Sequence, residues 1–254
     1  MIYYKYDIGG KQMQLFDLII EVTRYCNMNC NHCLRGERQR KKFNTEMLDN
    51  IFKDVDYVYG ITFTGGEPLT QVNTIIEVLD YIKEHNIGLG YFYIVSNGTI
   101  YSRKLMNVLD YFYNYYVDEK EISAFEISQD QYHVELDVLR KQNIWKYQEL
   151  ADAFGYDFIH LENRKKILSV IKEGNARFFL DGRESFYNNG FYNKESDCYG
   201  DNRIYIAANG NVISACDLSF DNVDKYSFGN VKDATLVDII EQNTKDKVEA
   251  IQIS

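Results

Sequence analysis

Proline is almost missing from this chain, with one residue in 254. No stretch of 18 apolar residues is present to span a membrane, and the N-terminus, MIYYKYDIGGKQMQ, lacks the apolar core and small-residue cleavage site of a signal peptide. These two absences predict a cytoplasmic protein. Positive charge is also short: 28 basic against 38 acidic residues give a formal balance of −10, which argues against a main affinity for nucleic-acid phosphates. One local exception, Arg35 to Lys42 (RGERQRKK), reads as a solvated surface loop. Repeats and low-complexity tracts are lacking, and the hydrophobic (45%) and charged (26%) fractions exclude wholesale disorder. Cysteines number five, and three of them fall within eight residues, too tight for a secreted disulfide framework. Metal ligation is the better reading.

What is there is a regular alternation of strand and helix patterns. Leu15 to Thr23 is an apolar, β-branched strand that runs directly into the cysteine loop. Asn44 or Thr45 can cap a helix carrying Met47, Leu48, Ile51, Phe52 and Val55 at helical spacing. Tyr57 to Phe63 reads as a second strand ending in Gly65-Gly66-Glu67-Pro68, followed by a helix from Val72 to Ile82. Tyr91 to Val95 is a third strand ending in Ser96-Asn97-Gly98-Thr99, before a helix from Ser102 to Tyr113. Ile122 to Ile127 is a fourth, ending in Ser128-Gln129-Asp130 before a helix from about Val134. Asp157 to His160 and Arg177 to Leu180 are candidates for strands five and six. Such βα units imply a parallel sheet with right-handed crossovers, hence an α/β fold: a partial (β/α)6 TIM-type barrel with its site at the C-terminal strand ends. All four polar loops fall at that end. Residues 1–180 form this core; 181–254 comprise an Asn- and Gly-rich linker, a hairpin turning at Asn209-Gly210-Asn211, and a closing helix from Leu236 to about Glu249.

Cys26, Cys30 and Cys33 are spaced Cys-x3-Cys-x2-Cys. A [4Fe–4S] cube has four irons to ligate, so three thiolates leave one iron open. The alternatives are inert buried thiols or a zinc site completed by His32, which lies between two of the ligands and reaches the same ion only with difficulty. The lone histidines His85, His133 and His160 read as structural, and none supports a hydrolytic triad.

The run Thr23 to Gly36, with His32 immediately before the third cysteine, resembles the radical S-adenosylmethionine superfamily, and the resemblance covers about Ile19 to Asp130. It implies that the open iron is chelated by the methionine moiety of S-adenosylmethionine, and that reductive cleavage yields a 5′-deoxyadenosyl radical that abstracts hydrogen from a substrate. It also implies a low-potential electron donor such as flavodoxin or ferredoxin. Gly65, Gly66, Glu67 and Pro68 match the motif whose carbonyls and carboxylate take up the methionine ammonium group. Ser128 and Asp130 occupy the place of ribose-binding residues, Ser96 and Asn97 lie near the methionine or the substrate, and His32 lies at the adenine. Glu126 shares a face with Ser128 and points into the barrel, toward substrate or a structural Arg.

Cys198 and Cys216 flank the predicted hairpin and, with Phe228 to Asp233, resemble a truncated SPASM or twitch extension. Two thiolates cannot hold a four-ligand cluster, so the extension is expected to be cluster-free, with a zinc or disulfide role for the pair as the alternatives. Its presence leans the substrate toward a peptide or protein. The chain leaves no room for a recognisable leader-peptide-binding domain, which keeps a small metabolite or nucleotide as the alternative. From a different class, a non-catalytic iron–sulfur or zinc scaffold would have no need of GGEP or SQD.

Overall fold

The computed structural model describes residues 13–130, 138–161, 170–178, 182–183, 192–193, 198–199, 203–214 and 216–243. Strand β1 (Met13–Thr23) is buried along almost its whole length, as expected of a strand covered on both faces. Helix α1 (Leu48–Phe52) is followed by Asp54, whose positive φ of 62° turns the chain, so Val55 opens β2 (Val55–Gly65) rather than continuing the helix. The series continues through α2 (Val72–Glu84), β3 (Gly88–Ser96), α3 (Arg103–Tyr115), β4 (Ala124–Ile127), α4 (Val138–Phe154) and β5 (Ile159–His160). In the C-terminal part, β6 (Tyr192–Asn193) and β7 (Cys198–Tyr199) pair antiparallel within the predicted linker. After them come β8 (Ile204–Ile206), β9 (Asn211–Ile213), α5 (Phe220–Lys225), β10 (Gly229–Asn230) and a helix α6 over 236–243. The remainder of the predicted closing helix lies outside the described residues.

The main sheet runs β10-β9-β8-β1-β2-β3-β4-β5, parallel from β8 to β5 and antiparallel from β8 to β10. The expected parallel α/β sheet with an added hairpin is therefore present. The reading of Arg177 to Leu180 as a sixth strand is corrected: Gly174–Phe178 is a 3-10 turn, and residues 179–180 lie outside the described residues. The cause is local. Gly174 has φ +52° and lies so close to Gly36 that a side chain there would sit 2.2 Å from the Gly36 nitrogen, while the Asn175 N–H donates to the Cys33 carbonyl instead of to a strand. The sixth parallel strand is β8, which hydrogen-bonds to the opposite edge of the sheet, beside β1.

Parallel register places Leu18, Ile20, Ile61, Phe63, Phe92, Ile94, Phe125 and Ile127 on one face, where they form the dry core with α1, α2 and α3. The other face carries Asp17, Glu21, Thr62, Tyr91, Tyr93 and Glu126, with a small apolar cluster around Tyr205. Among the described residues no helix is long and apolar enough to cross a membrane.

Candidate functional site

The cysteine loop leaves the end of β1 and is held on three sides. The loop after β2 lies against it: the Gly66 N–H donates to the Thr23 carbonyl (2.9 Å) and the Glu67 N–H to the Tyr25 carbonyl (2.9 Å). Glycine is required twice. Gly65 has φ +141°, and a side chain on Gly66 would sit 2.3 Å from the Tyr25 carbonyl oxygen. From the 3-10 turn, Asn175 donates its side-chain amide to the Cys30 carbonyl (3.1 Å) and its N–H to that of Cys33 (2.9 Å). From the loop after β3, the Asn97 side chain donates to Asn27 (3.0 Å) and reaches Cys26 Sγ at 3.9 Å, and the Met28 N–H also points at that sulfur (3.4 Å).

Cys26, Cys30 and Cys33 are free thiols, half-buried, and line one small cavity with Arg35, Gly66 and Asn175. Burial, followed by the charge of Cys33, Cys26 and Asp130, pushes Cys30 up to about 11, against a smaller opposing pull from Arg140. Burial raises Cys26 as well. Thiols that burial keeps protonated, as at Cys26 and Cys30, would give up their protons to a bound metal, since metal binding exchanges for them. Among the described residues no group of three or more His, Cys, Asp and Glu side chains is gathered to hold a single metal ion. A cubane makes no such demand, since each cysteine ligates its own iron. The donor set therefore fits the cluster that its spacing suggests.

Glu67 is buried and its carboxylate accepts from the Leu69 N–H (3.0 Å), the Ser96 hydroxyl (2.9 Å) and the Asn97 N–H (2.8 Å). Burial pushes it up to about 6 despite these donors. The chain's one proline, Pro68, sits just behind it at the start of a 3-10 turn capped by Glu67 itself, where a fixed φ and a missing N–H cost nothing. Asn97 in turn accepts from the Thr99 N–H and hydroxyl. The Ser128 N–H donates to the Ser96 carbonyl (2.9 Å), and Asp130 is buried beyond it. His32 lies half-buried between the second and third cysteines. Glu126 meets the Tyr93 hydroxyl at 2.6 Å. His85 stacks on Tyr81 at a helix end, His160 lies in β5, and His133 falls outside the described residues.

Two features carry no local signal in the sequence. Arg140 of α4 is buried and donates to the carbonyls of Asn97 and Ser128, tying the ends of β3 and β4 together. Beneath the cysteine loop, Arg24 is fully buried, pairs with Glu21 (2.7 Å) and forms a bidentate pair with Asp224 of α5 (2.8 Å for both bonds). Glu21 also accepts from Tyr205 and from the Ala208 N–H (3.0 Å), so the C-terminal hairpin is fastened to the base of the site. Flanking that hairpin, Cys216 Sγ accepts from Arg203 (3.4 Å), and Cys198 lies in β7.

Residues 17–145, half of the chain, match the model of the 4Fe–4S single cluster domain, and residues 198–252 match SPASM, an iron–sulfur cluster-binding domain. The radical SAM cyclopropyl synthase TigE of Paramaledivibacter caminithermalis is 29% identical over 122 residues, covering 39% of this chain and 25% of that protein. The chain thus spans only a quarter of that curated relative. BtrN in complex with AdoMet and 2-DOIA shares the fold at 16% identity, with a TM-score of 0.51 over 91% of this chain and 83% of that one. The corresponding values for anSMEcpe with bound AdoMet and Kp18Cys peptide are 14%, 0.54, 90% and 81%. A cysteine loop of this spacing at the end of β1, matched across half of the chain, establishes that the protein belongs to the 4Fe–4S single cluster domain family of the radical S-adenosylmethionine superfamily, with a SPASM segment at its C-terminal end.

Proposed function

We propose that this chain is a radical S-adenosylmethionine enzyme that holds one [4Fe–4S] cluster through Cys26, Cys30 and Cys33 and abstracts hydrogen from a peptide or protein substrate. The observation that carries the reading is the shared cavity of three free thiols with Gly66, at the C-terminal ends of β1 and β2. When bound, cluster and S-adenosylmethionine supply a 5′-deoxyadenosyl radical, with an electron from a low-potential carrier protein.

The chain's own residues position and insulate. Gly65 and Gly66 let the backbone approach the cofactor closely, their carbonyls being the acceptors for the methionine ammonium group. Glu67 commits three of its roughly four lone-pair sites to Leu69, Ser96 and Asn97, so its main work is to lock two loops together. Ser128 and Asp130 are assigned to the ribose hydroxyls and His32 to the adenine. Arg140 places a cation among Glu67, Asp130 and the cysteines, where buried negative charge would otherwise accumulate. A scaffold protein would have no use for this convergence of loops.

The SPASM match and the peptide bound by anSMEcpe support a peptide substrate. A small-molecule substrate is the second reading, favoured by the match to BtrN, solved with AdoMet and 2-DOIA, over most of both chains. The function is tested by the electron paramagnetic resonance spectrum of the dithionite-reduced, cluster-loaded protein. Adding S-adenosylmethionine should change that spectrum, because one iron has no protein ligand; an unchanged spectrum would overturn the reading. Transfer of deuterium from a labelled peptide or labelled 2-DOIA into 5′-deoxyadenosine separates the two substrate classes.

A further inference from the structure

Within an acidic protein, one side of the cysteine loop is strongly basic, and the fold explains how. Residues 39–43 double back along the end of β1 as an extended antiparallel segment: the Arg24 N–H donates to the Lys41 carbonyl (3.0 Å), the Gln39 N–H to that of Arg24 (3.0 Å), and the Phe43 N–H to that of Val22 (3.0 Å). Alternation then sorts the side chains. Gln39 and Lys41 turn inward to the buried network, Gln39 accepting from Arg24 (3.2 Å) and Lys41 pairing with Asp224 (3.2 Å). Arg40 and Lys42 turn outward and are exposed, and Arg38, also exposed, stands just before this segment and lines the cysteine cavity. Among the described residues none of these three has an ion-pair partner; the one acidic neighbour on the run, Glu37, is exposed at its end.

This face adjoins the cluster loop. Arg38 donates to the Cys26 carbonyl (3.5 Å), and Arg40 and Lys42 line a groove with Thr70, Gln71 and Tyr25, the exposed residue directly before Cys26. Alternate residues of an extended chain stand ~7 Å apart, so the three charges span ~13 Å, the footprint of a protein patch rather than of one anionic group.

Resting on the function proposed above, we infer that Arg38, Arg40 and Lys42, flanking Tyr25, are the docking surface for the electron donor, an acidic, low-potential one-electron carrier protein. Weak electron-transfer encounters bury little area and depend on complementary charge for their association rate. One electron passes from the carrier's reduced centre to the cluster, and no bond forms or breaks.

The test uses the cluster-loaded full chain, an acidic flavodoxin and the double charge reversal R40E/K42E. Binding of oxidised flavodoxin at low ionic strength should weaken by about tenfold or more and lose most of its salt dependence, and reduction of the cluster by reduced flavodoxin, followed by its absorbance, should slow by a similar factor. Reduction by dithionite should be unchanged, and R40K/K42R should behave as wild type. Flavodoxin binding and reduction rates unaffected by R40E/K42E, with dithionite reduction normal, would overturn the docking surface alone. Failure of dithionite and S-adenosylmethionine to give 5′-deoxyadenosine from the loaded wild type would overturn the function as well.

Discussion

The Asn97 N–H donates to Glu67 Oε2 at 2.8 Å, which fastens the loop after β3 to the loop after β2 through a buried carboxylate. Burial raises that carboxyl to about 6 from an ordinary value near 4.5. Between these values the folded chain binds more protons than the unfolded chain, so Glu67 contributes stability below pH 4.5 that is lost as the pH rises through 6. The E67Q variant, which cannot titrate, should lack this slope. Its stability relative to wild type is expected to improve by up to ~2 kcal/mol between about pH 4.5 and 6.5, as measured by denaturant unfolding of the apoprotein across that range.

The Asn97 side-chain amide reaches Cys26 Sγ. Hydrogen bonds to ligand sulfur favour the reduced, more negative cluster. In N97A the midpoint potential of the cluster should fall by tens of millivolts, given ~1 kcal/mol for one hydrogen bond. A spectroscopically monitored redox titration reads this directly, and an unchanged potential would mean that the contact has no electronic role.

The strands and the four polar loops were legible in the sequence because each has a local signature: β-branched apolar runs for β1 to β4, and Gly, Asn and Pro punctuation at their ends. The cysteine spacing was equally local. Arg140 was not legible, because it acts on carbonyls 12 and 43 residues away from a helix position with no motif. Asn175 was missed for the same reason, reaching Cys30 across 145 residues. It lies two residues before the run Arg177 to Leu180, in the turn that Gly174 imposes. For Glu67 the residue was found but its work was only partly seen: three intramolecular donors occupy a carboxylate that the motif assigns to the cofactor.

Arg24 and Asp224 form the bond between the base of the cysteine loop and α5. Partial burial pushes Asp224 up, but Arg24, Asn209 and Lys41 pull it down further, well below the usual carboxylate range. Its contribution is therefore complete above the ordinary aspartate value and is lost only as the pH falls through the lower folded value. Breaking a buried ion pair costs about 3–5 kcal/mol. Asp224 is a third exposed, so D224N should cost ~2 kcal/mol at neutral pH. Urea unfolding should show this gap at pH 7 and its progressive closure in strong acid.

Cys216 is engaged by Arg203, and with Cys198 it supplies two thiolates where a [4Fe–4S] cluster has four irons to ligate. Iron and sulfide analysis of the reconstituted protein should give one [4Fe–4S] cluster per chain for both wild type and C216A. A second cluster in wild type that disappears in C216A would show that the SPASM segment holds one of its own.

The central claim is that Cys26, Cys30 and Cys33 hold a cluster with one iron open to S-adenosylmethionine. The most direct measurement is the yield of 5′-deoxyadenosine from anaerobically reconstituted protein given dithionite and S-adenosylmethionine. Wild type should produce it and C30A should not. A fully loaded wild type that forms none, or a C30A variant that remains active, would contradict the account.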